Sequence, residues 1–376
     1  MDKKRSAKKF TLSRIIIPTA AFIVIVGVLV LVAVNLKNPS TDAFGKTLKS
    51  WFGIGSRAET FEYGKKEPTA FAVVNDGIAA ASKTGFIIFD KWGDKVVDKD
   101  VVMERPVVVS NGSVSGFYDC GGYTLFIAGD NGNIESYVSD KKLVSVSVNK
   151  EGWFTLCTEE ENYKGSVTVL NDKHNAVYKF YSGDGYILSA ELSDDCRMLL
   201  AVKLTPTGTD VVEYSLDSEE EQARISLSSQ VAVGCEYGGY GDISILTDEA
   251  FYVYDNDGNP KECYDFSEYD LDGFSLEDDG YSVISCGASL ADARSYLATL
   301  DDTGNLIAKQ ETAKTIVDIS AGGQYIAVLY TDGLTVYDKN LREQKTYEIT
   351  NGADAVVMCD DGTVMVTSEY SAQVLG

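Results

Sequence analysis

From about residue 60 onward, short apolar runs and polar turns recur in a module of roughly forty residues. Each module shows an apolar run, a turn of Asp, Asn or Gly, a second apolar run and another Gly or Asp turn. A third run ending in Asp or Asn and a more polar fourth segment complete it. One copy reads Ile316–Ser320, a turn over 321–324, Tyr325–Tyr330, a turn over 331–333, Leu334–Asp338, and a polar outer segment from Lys345 to Thr350. The first copy keeps that order as AFAVVN, DG, IAAAS, KTG, FIIFD and, after KWGD, KVVDKDV. The third runs end at Asp90, Asp130, Asn171, Asp217, Asp255, Asp301 and Asp338.

Short runs rich in Val, Ile, Tyr and Thr between Asp-Gly or Asn-Gly turns are strand and hairpin chemistry, because Gly and Asn accept the positive φ that tight turns demand. Four such strands make one antiparallel blade, and a ring of blades is a β-propeller. The last copy, from Ala355 to Leu375, stops after three strands. Its missing outer strand is available at the front, in ETFEYGK from Glu59 to Lys65, and pairing the two would close an otherwise open edge. Counted this way, residues 59–376 form an all-β propeller of eight four-stranded blades. Seven remain if the weak copy around Gly185 to Gln230 is miscounted.

Ahead of the modules, residues 15–36 carry no charge (IIIPTAAFIVIVGVLVLVAVNL), long enough to cross a hydrocarbon core of about 30 Å as a helix. Pro18 falls in the first turn, where a missing N–H costs least. Lys3, Lys4, Arg5, Lys8, Lys9 and Arg14 precede the run against Asp2 alone, and only Lys37 follows before Asp42. The positive-inside bias predicts a cytoplasmic basic tail over 1–14, a transmembrane helix over 15–36, a juxtamembrane linker over 37–58 and an extracytoplasmic C-terminal domain in the cell membrane. A cleaved signal peptide is the rival, but the exit from Val32 to Lys37 is a poor small-x-small cleavage site. In the linker, Phe44, Leu48, Trp51, Phe52 and Ile54 with Lys46 and Lys49 suit either a membrane-interface patch or an ordinary stalk.

The formal net charge of −24 argues against nucleic-acid binding, which rests on neutralising phosphates with Lys and Arg. Seven cysteines form no C-x-x-C pair, and with His174 the only histidine a Cys/His zinc site has little to work with. Cys157 and Cys359 stand in apolar runs and read as small buried hydrophobes.

Candidate chemistry is sparse. His174 lies in the turn Asn171–Asn175 between a third and a fourth strand with no signalled nucleophile, and is expected to be an exposed loop residue. Asp255–Pro260 begins like a calcium loop, yet Pro260 replaces the glycine at the sixth position and no Glu follows at the twelfth. Asp270–Gly273 and Glu277–Gly280 are likewise incomplete, so hairpin turns account for all three. Gly238–Gly241 lies between strand runs and reads as a broadened turn, and no nucleophile elbow, Walker loop or dinucleotide fingerprint is present. The sequence thus predicts no catalytic, cofactor-binding or metal-binding residues, no cofactor and no enzymatic activity. Of 22 tyrosines, Tyr178, Tyr181, Tyr214, Tyr252, Tyr254, Tyr281, Tyr330 and Tyr337 stand near strand ends. Strand alternation favours packing between blades over an exposed face that stacks on sugars or anchors a protein.

Over residues 60–376 the module resembles β-propellers, most closely the eight-bladed quinoprotein-type and envelope-scaffold propellers and the membrane-anchored bacterial propellers of uncharacterised families. Quinoprotein blades carry a Trp in each docking motif, whereas this chain has Trp51, Trp92 and Trp153 alone, and the Gly-His and Trp-Asp pairs of WD repeats do not recur. The resemblance therefore implies architecture without quinone chemistry or WD-type assembly. The expected function is a non-catalytic protein-binding scaffold or sensor in the cell envelope, anchored by residues 15–36. The alternative is a carbohydrate-binding or glycan-processing propeller, motivated by the tyrosines and by carboxylates that a glycosidase would have to pair across a cleft.

Overall fold

On strand β4 (Gly85–Phe89), Phe86 and Ile88 belong to one hydrophobic core and Ile87 and Phe89 to another, and all four are buried. The two faces of this strand serve two neighbouring blades, so its run is continuously apolar instead of alternating. The same division holds on β3 (Gly77–Ser82), where Ile78 and Ala80 join the first of these cores and Ala79 and Ala81 the second. Outer strands have one side in water and read as polar, as in β5 (Lys95–Asp100) and β29 (Glu343–Tyr347).

The computed structural model describes residues 60–376 apart from 65, 130, 219, 239–240, 278–279, 289–294 and 350–351. The expected tail at 1–14, helix at 15–36 and linker at 37–58 lie outside the described residues. Among the described residues no helix is long and apolar enough to cross a membrane.

The described residues form eight four-stranded antiparallel sheets, seven of them meanders of four sequential strands. Blades one to seven occupy residues 70–100, 106–138, 143–182, 186–228, 232–265, 269–312 and 316–347. Blade eight combines β30 (Ala353–Met358), β31 (Val364–Ser368) and β32 (Ser371–Leu375) with β1 (Thr60–Glu62) at its outer edge. The registers Thr60 with Gln373, Phe61 with Ala372 and Glu62 with Ser371 fix that pairing. Eight hydrophobic clusters each bridge consecutive blades, the last joining Phe61, Tyr63, Val357 and Met365 of blade eight to Ile78, Ile87 and Phe89 of blade one. The ring is closed, and the count is eight. The weak copy around Gly185 to Gln230 is a complete blade of β14 (Tyr186–Leu192), β15 (Met198–Thr205), β16 (Gly208–Ser215) and β17 (Glu221–Ser228), which rules out seven.

Several strand bounds differ from expectation. The run from Ile316 continues through Gly322 into the turn expected over 321–324. Asp270–Gly273, expected as a hairpin turn, lies inside the strand Tyr269–Glu277 at its bulge. The outer segment of blade seven is Glu343–Tyr347 rather than Lys345–Thr350, because Asp338 closes its turn by residue 342 and pairing resumes at once. In blade four the third strand ends at Ser215, two residues before Asp217, and the Ser215 hydroxyl accepts from the Asp217 N–H. The expected ending at Asp130 lies outside the described residues.

Six of the eight innermost strands slip register at one residue, as between Leu143 and Ser145 or Ile316 and Asp318, which is the bend a bulge supplies where blades crowd the axis. Side chains also tie inner strands to the next blade. Ser110 donates to the Val73 carbonyl, Ser145 and Ser147 to those of Leu188 and Ala190, and Asp318 accepts from the Val356 N–H at 2.8 Å. Hairpins joining first to second and third to fourth strands share one face of the disc, the turn face. Hairpins joining second to third strands share the other, the connector face, with the crossings between blades.

Candidate functional site

The recurring acids at the ends of third strands form one repeated device. Asp90, Asn171, Asp255, Asp301 and Asp338 each point Oδ1 at the backbone N–H groups two and four residues on, at 2.7 to 3.1 Å. The third residue on takes positive φ at Gly93, His174, Gly258, Gly304 and Leu341. These side-chain oxygens satisfy turn amides, which is Asx-turn chemistry. Asp255 also receives Asn259 Nδ2, so the oxygens of the supposed calcium loop are engaged within its own hairpin. Among the described residues no group of three or more His, Cys, Asp and Glu side chains is placed to hold a metal ion.

His174 occupies the expected turn but is half-buried rather than exposed. Its Nδ1 lies 2.7 Å from Glu135 Oε2 on β9 (Ile134–Val138) of blade two, and its ring meets Phe154 edge-on at 6.0 Å. The position calls for a left-handed residue, and the imidazole is used to clasp the neighbouring blade. On the same face an asparagine relay joins blades one to four. Asn75 donates to the Ser113 carbonyl, Asn111 to that of Asn149, and Asn149 to that of Ser193.

A recess of about 650 Å³ opens on the turn face between blades four and five, walled by Asp194, Asp195, Glu213, Gln222, Tyr237 and Asp257. Glu213 is 4% exposed and accepts from the Tyr237 hydroxyl at 3.1 Å. Burial pushes its carboxyl above the usual carboxylate range against that hydrogen bond, and Asp257 adds to the rise. A smaller cavity of about 140 Å³ toward blade six shares Asp194, Tyr237 and Gly238, with Glu236 and Asp302 in its wall. Lys150 approaches Asp194 at 3.4 Å there, yet the carboxylates outnumber it.

The connector face has a different chemistry. All five exposed tyrosines among the described residues lie on it: Tyr123, Tyr163, Tyr181, Tyr186 and Tyr370. Three gather where blades three and four meet. The Tyr163 and Tyr181 rings are 4.9 Å apart, and Lys164 Nζ sits 4.5 Å over the Tyr186 ring and 3.2 Å from its hydroxyl. The crossing between blades that carries Tyr181 and Tyr186 is pinned from below. Asp184 binds Lys203 Nζ at 3.1 Å and Arg224 at 2.8 Å, and Arg224 also binds Asp210 and Glu221. Burial raises the Asp184 pKa, but the bonds from Arg224 and Lys203 outweigh it and hold the carboxyl down at about 2.

Of the eight tyrosines singled out in the sequence, Tyr214, Tyr281, Tyr330 and Tyr337 are buried between blades, while Tyr178, Tyr252 and Tyr254 pack against such cores. Tyr181 alone of the eight is exposed. Sequence reasoning missed Tyr163 and Tyr186, although both fall beside hairpin or connector residues and not in the interior of an apolar run. It also missed Lys203, whose placement inside the strand run LLAVKL was the available signal. Cys157, Cys235, Cys286 and Cys359 are buried as small hydrophobes, whereas Cys263 is exposed on an outer strand; all the cysteines are free thiols.

A family model described as a family of unknown function (DUF5711) matches residues 56–375. Among solved structures, the C-terminal WD40 domain of Sif2 is similar at 13% identity and a TM-score of 0.62, covering 86% of this chain and 99% of that one. BamB from Moraxella catarrhalis is similar at 10% identity and a TM-score of 0.55, covering 85% and 98%. A chain of a mitotic checkpoint complex is similar at 10% identity and a TM-score of 0.51, covering 72% and 86%. At these identities the likeness is one of fold. No curated protein matches the sequence.

Proposed function

The chain belongs to the DUF5711 family of unknown function, and from that premise we propose that it is a single-pass membrane protein whose extracytoplasmic propeller holds a protein partner in the cell envelope and performs no chemistry. The uncharged run over 15–36 behind a basic tail supports the anchor and its orientation. The fold likeness to BamB and to a chain of a checkpoint complex supports a rigid disc used for assembly.

The observation that carries the reading is the recess between blades four and five. It has room for side chains of a docking segment, and its wall of Asp194, Asp195, Glu213 and Asp257 favours a segment bearing Lys or Arg. Asp195 and Asp255 each spend an oxygen on a backbone N–H of their own turn, and Asp194, Glu213 and Asp257 add negative field to the wall.

The test is crosslinking in cells followed by capture through the propeller, with the anchor alone as control. An envelope protein recovered above that control, and reduced in an Asp195→Asn, Asp257→Asn double variant, supports the scaffold; no recovery above the anchor overturns it.

A further inference from the structure

We propose that Tyr163, Tyr181 and Tyr186, with Lys164, form a binding platform for the pyranose rings of an uncharged oligosaccharide. This goes beyond the protein-scaffold reading and uses the opposite face of the disc.

Three features point to a ligand rather than to packing. The rings are about half exposed and gather at one blade junction, whereas the other two exposed tyrosines, Tyr123 and Tyr370, stand on separate blades. The segments that carry them are also held in place before anything binds. Lys164 N–H donates to the Ser182 carbonyl at 2.7 Å, the Ser182 hydroxyl donates to the Gly185 carbonyl at 2.6 Å, and Asp184 is fixed by Lys203, whose side chain is 2% exposed. A platform ordered in advance loses little freedom on binding. Finally, the Lys164 ammonium has no carboxylate within ion-pair distance among the described residues and lies over the Tyr186 ring, a donor aimed at the same surface as the phenols.

Sugars present C–H faces flanked by hydroxyls, and phenol rings with hydroxyl and ammonium donors at their edges match both. A flat protein interface would have to cover the surroundings as well. Lys141 pairs with Glu160 and Glu161, and Lys179 with Glu160, and this charged rim would be desolvated at a cost, whereas a narrow glycan strand leaves it wet. The ligand is uncharged because an anionic polymer would meet a chain of net charge −24.

The experiment uses the full chain in a detergent without a sugar head group, titrated with cellohexaose, chitohexaose and mannohexaose and followed by saturation-transfer NMR. We expect at least one to bind. Tyr163→Ala and Tyr186→Ala should each weaken it about tenfold, as loss of an aromatic contact implies. Tyr186→Phe should keep most of the affinity, and Tyr370→Ala, on another blade, should leave it unchanged. As a check that needs no variant, the bound sugar should protect Tyr163, Tyr181 and Tyr186 from nitration but not Tyr370. Binding by none of the three sugars, equal binding by the alanine variants, or no selective protection would overturn the platform. None of these outcomes bears on capture of a protein partner at the turn face.

Discussion

The ammonium of Lys203 donates to the Tyr214 hydroxyl at 2.6 Å inside the seam between blades three and four, where cores from both blades enclose it. Asp184 and Glu221 stand at 3.1 and 4.0 Å, and the rings of Phe180 and Tyr214 flank it. Lys203→Met keeps the aliphatic volume and removes the charge. Because the two carboxylates stay partly hydrated and Arg224 still binds both, the expected loss is about 2 kcal/mol, below the 3–5 kcal/mol typical of a fully buried broken pair. Urea unfolding measures it.

Asp184 also sets a pH window. Its folded pKa lies near 2, below the ordinary 3.8, so its contribution to stability is complete above about pH 4 and is lost as pH falls from there toward 2. Asp184→Asn should flatten the acid limb of stability against pH in that window while leaving the slope near neutrality unchanged.

At the closure blade, Tyr63 is 1% exposed and its hydroxyl has no hydrogen-bond partner among the described residues. A buried unsatisfied donor costs about 1–3 kcal/mol. Tyr63→Phe is therefore expected to raise the melting temperature, whereas Phe61→Ala, which empties the core shared with Phe89 and Met365, should cost about 3–5 kcal/mol. A Tyr63→Phe variant less stable than the parent would contradict the packing of β1.

His174 tests the turn device. Its φ of 58° falls where blades one, five and six use Gly93, Gly258 and Gly304. His174→Ala loses the Glu135 contact and keeps the strain, and should cost about 1 kcal/mol. His174→Gly loses the same contact and relieves the strain, so it should be closer to neutral. Chemical denaturation of the pair decides the matter, and alanine milder than glycine would refute it.

Much of the ring was legible because blade geometry imposes a period. Buried middle strands write long apolar runs such as Ile326–Tyr330, and Asx turns write an Asp or Asn at fixed intervals. The strand Thr60–Glu62 was findable because the last copy of the module shows only three strand runs, and ETFEYGK supplies an unassigned fourth. Side-chain placement across blade seams was not legible. Lys203 and Glu213 owe their burial to neighbours roughly twenty to forty residues away, and nothing local distinguishes Tyr186 from the tyrosines that pack. His174 read as exposed because a turn position says nothing about Glu135 on another blade.

The pairing of Thr60 with Gln373 joins the first and the last strands of the domain to be synthesised. Until β32 leaves the ribosome, Ile78, Ile87 and Phe89 of blade one lack the surface that covers them in the finished ring. Loop-closure entropy grows slowly with length, so the wait matters more than the distance. Closure thus waits for β32, and a chain cut short anywhere in blade eight would leave an apolar seam open for quality control to recognise.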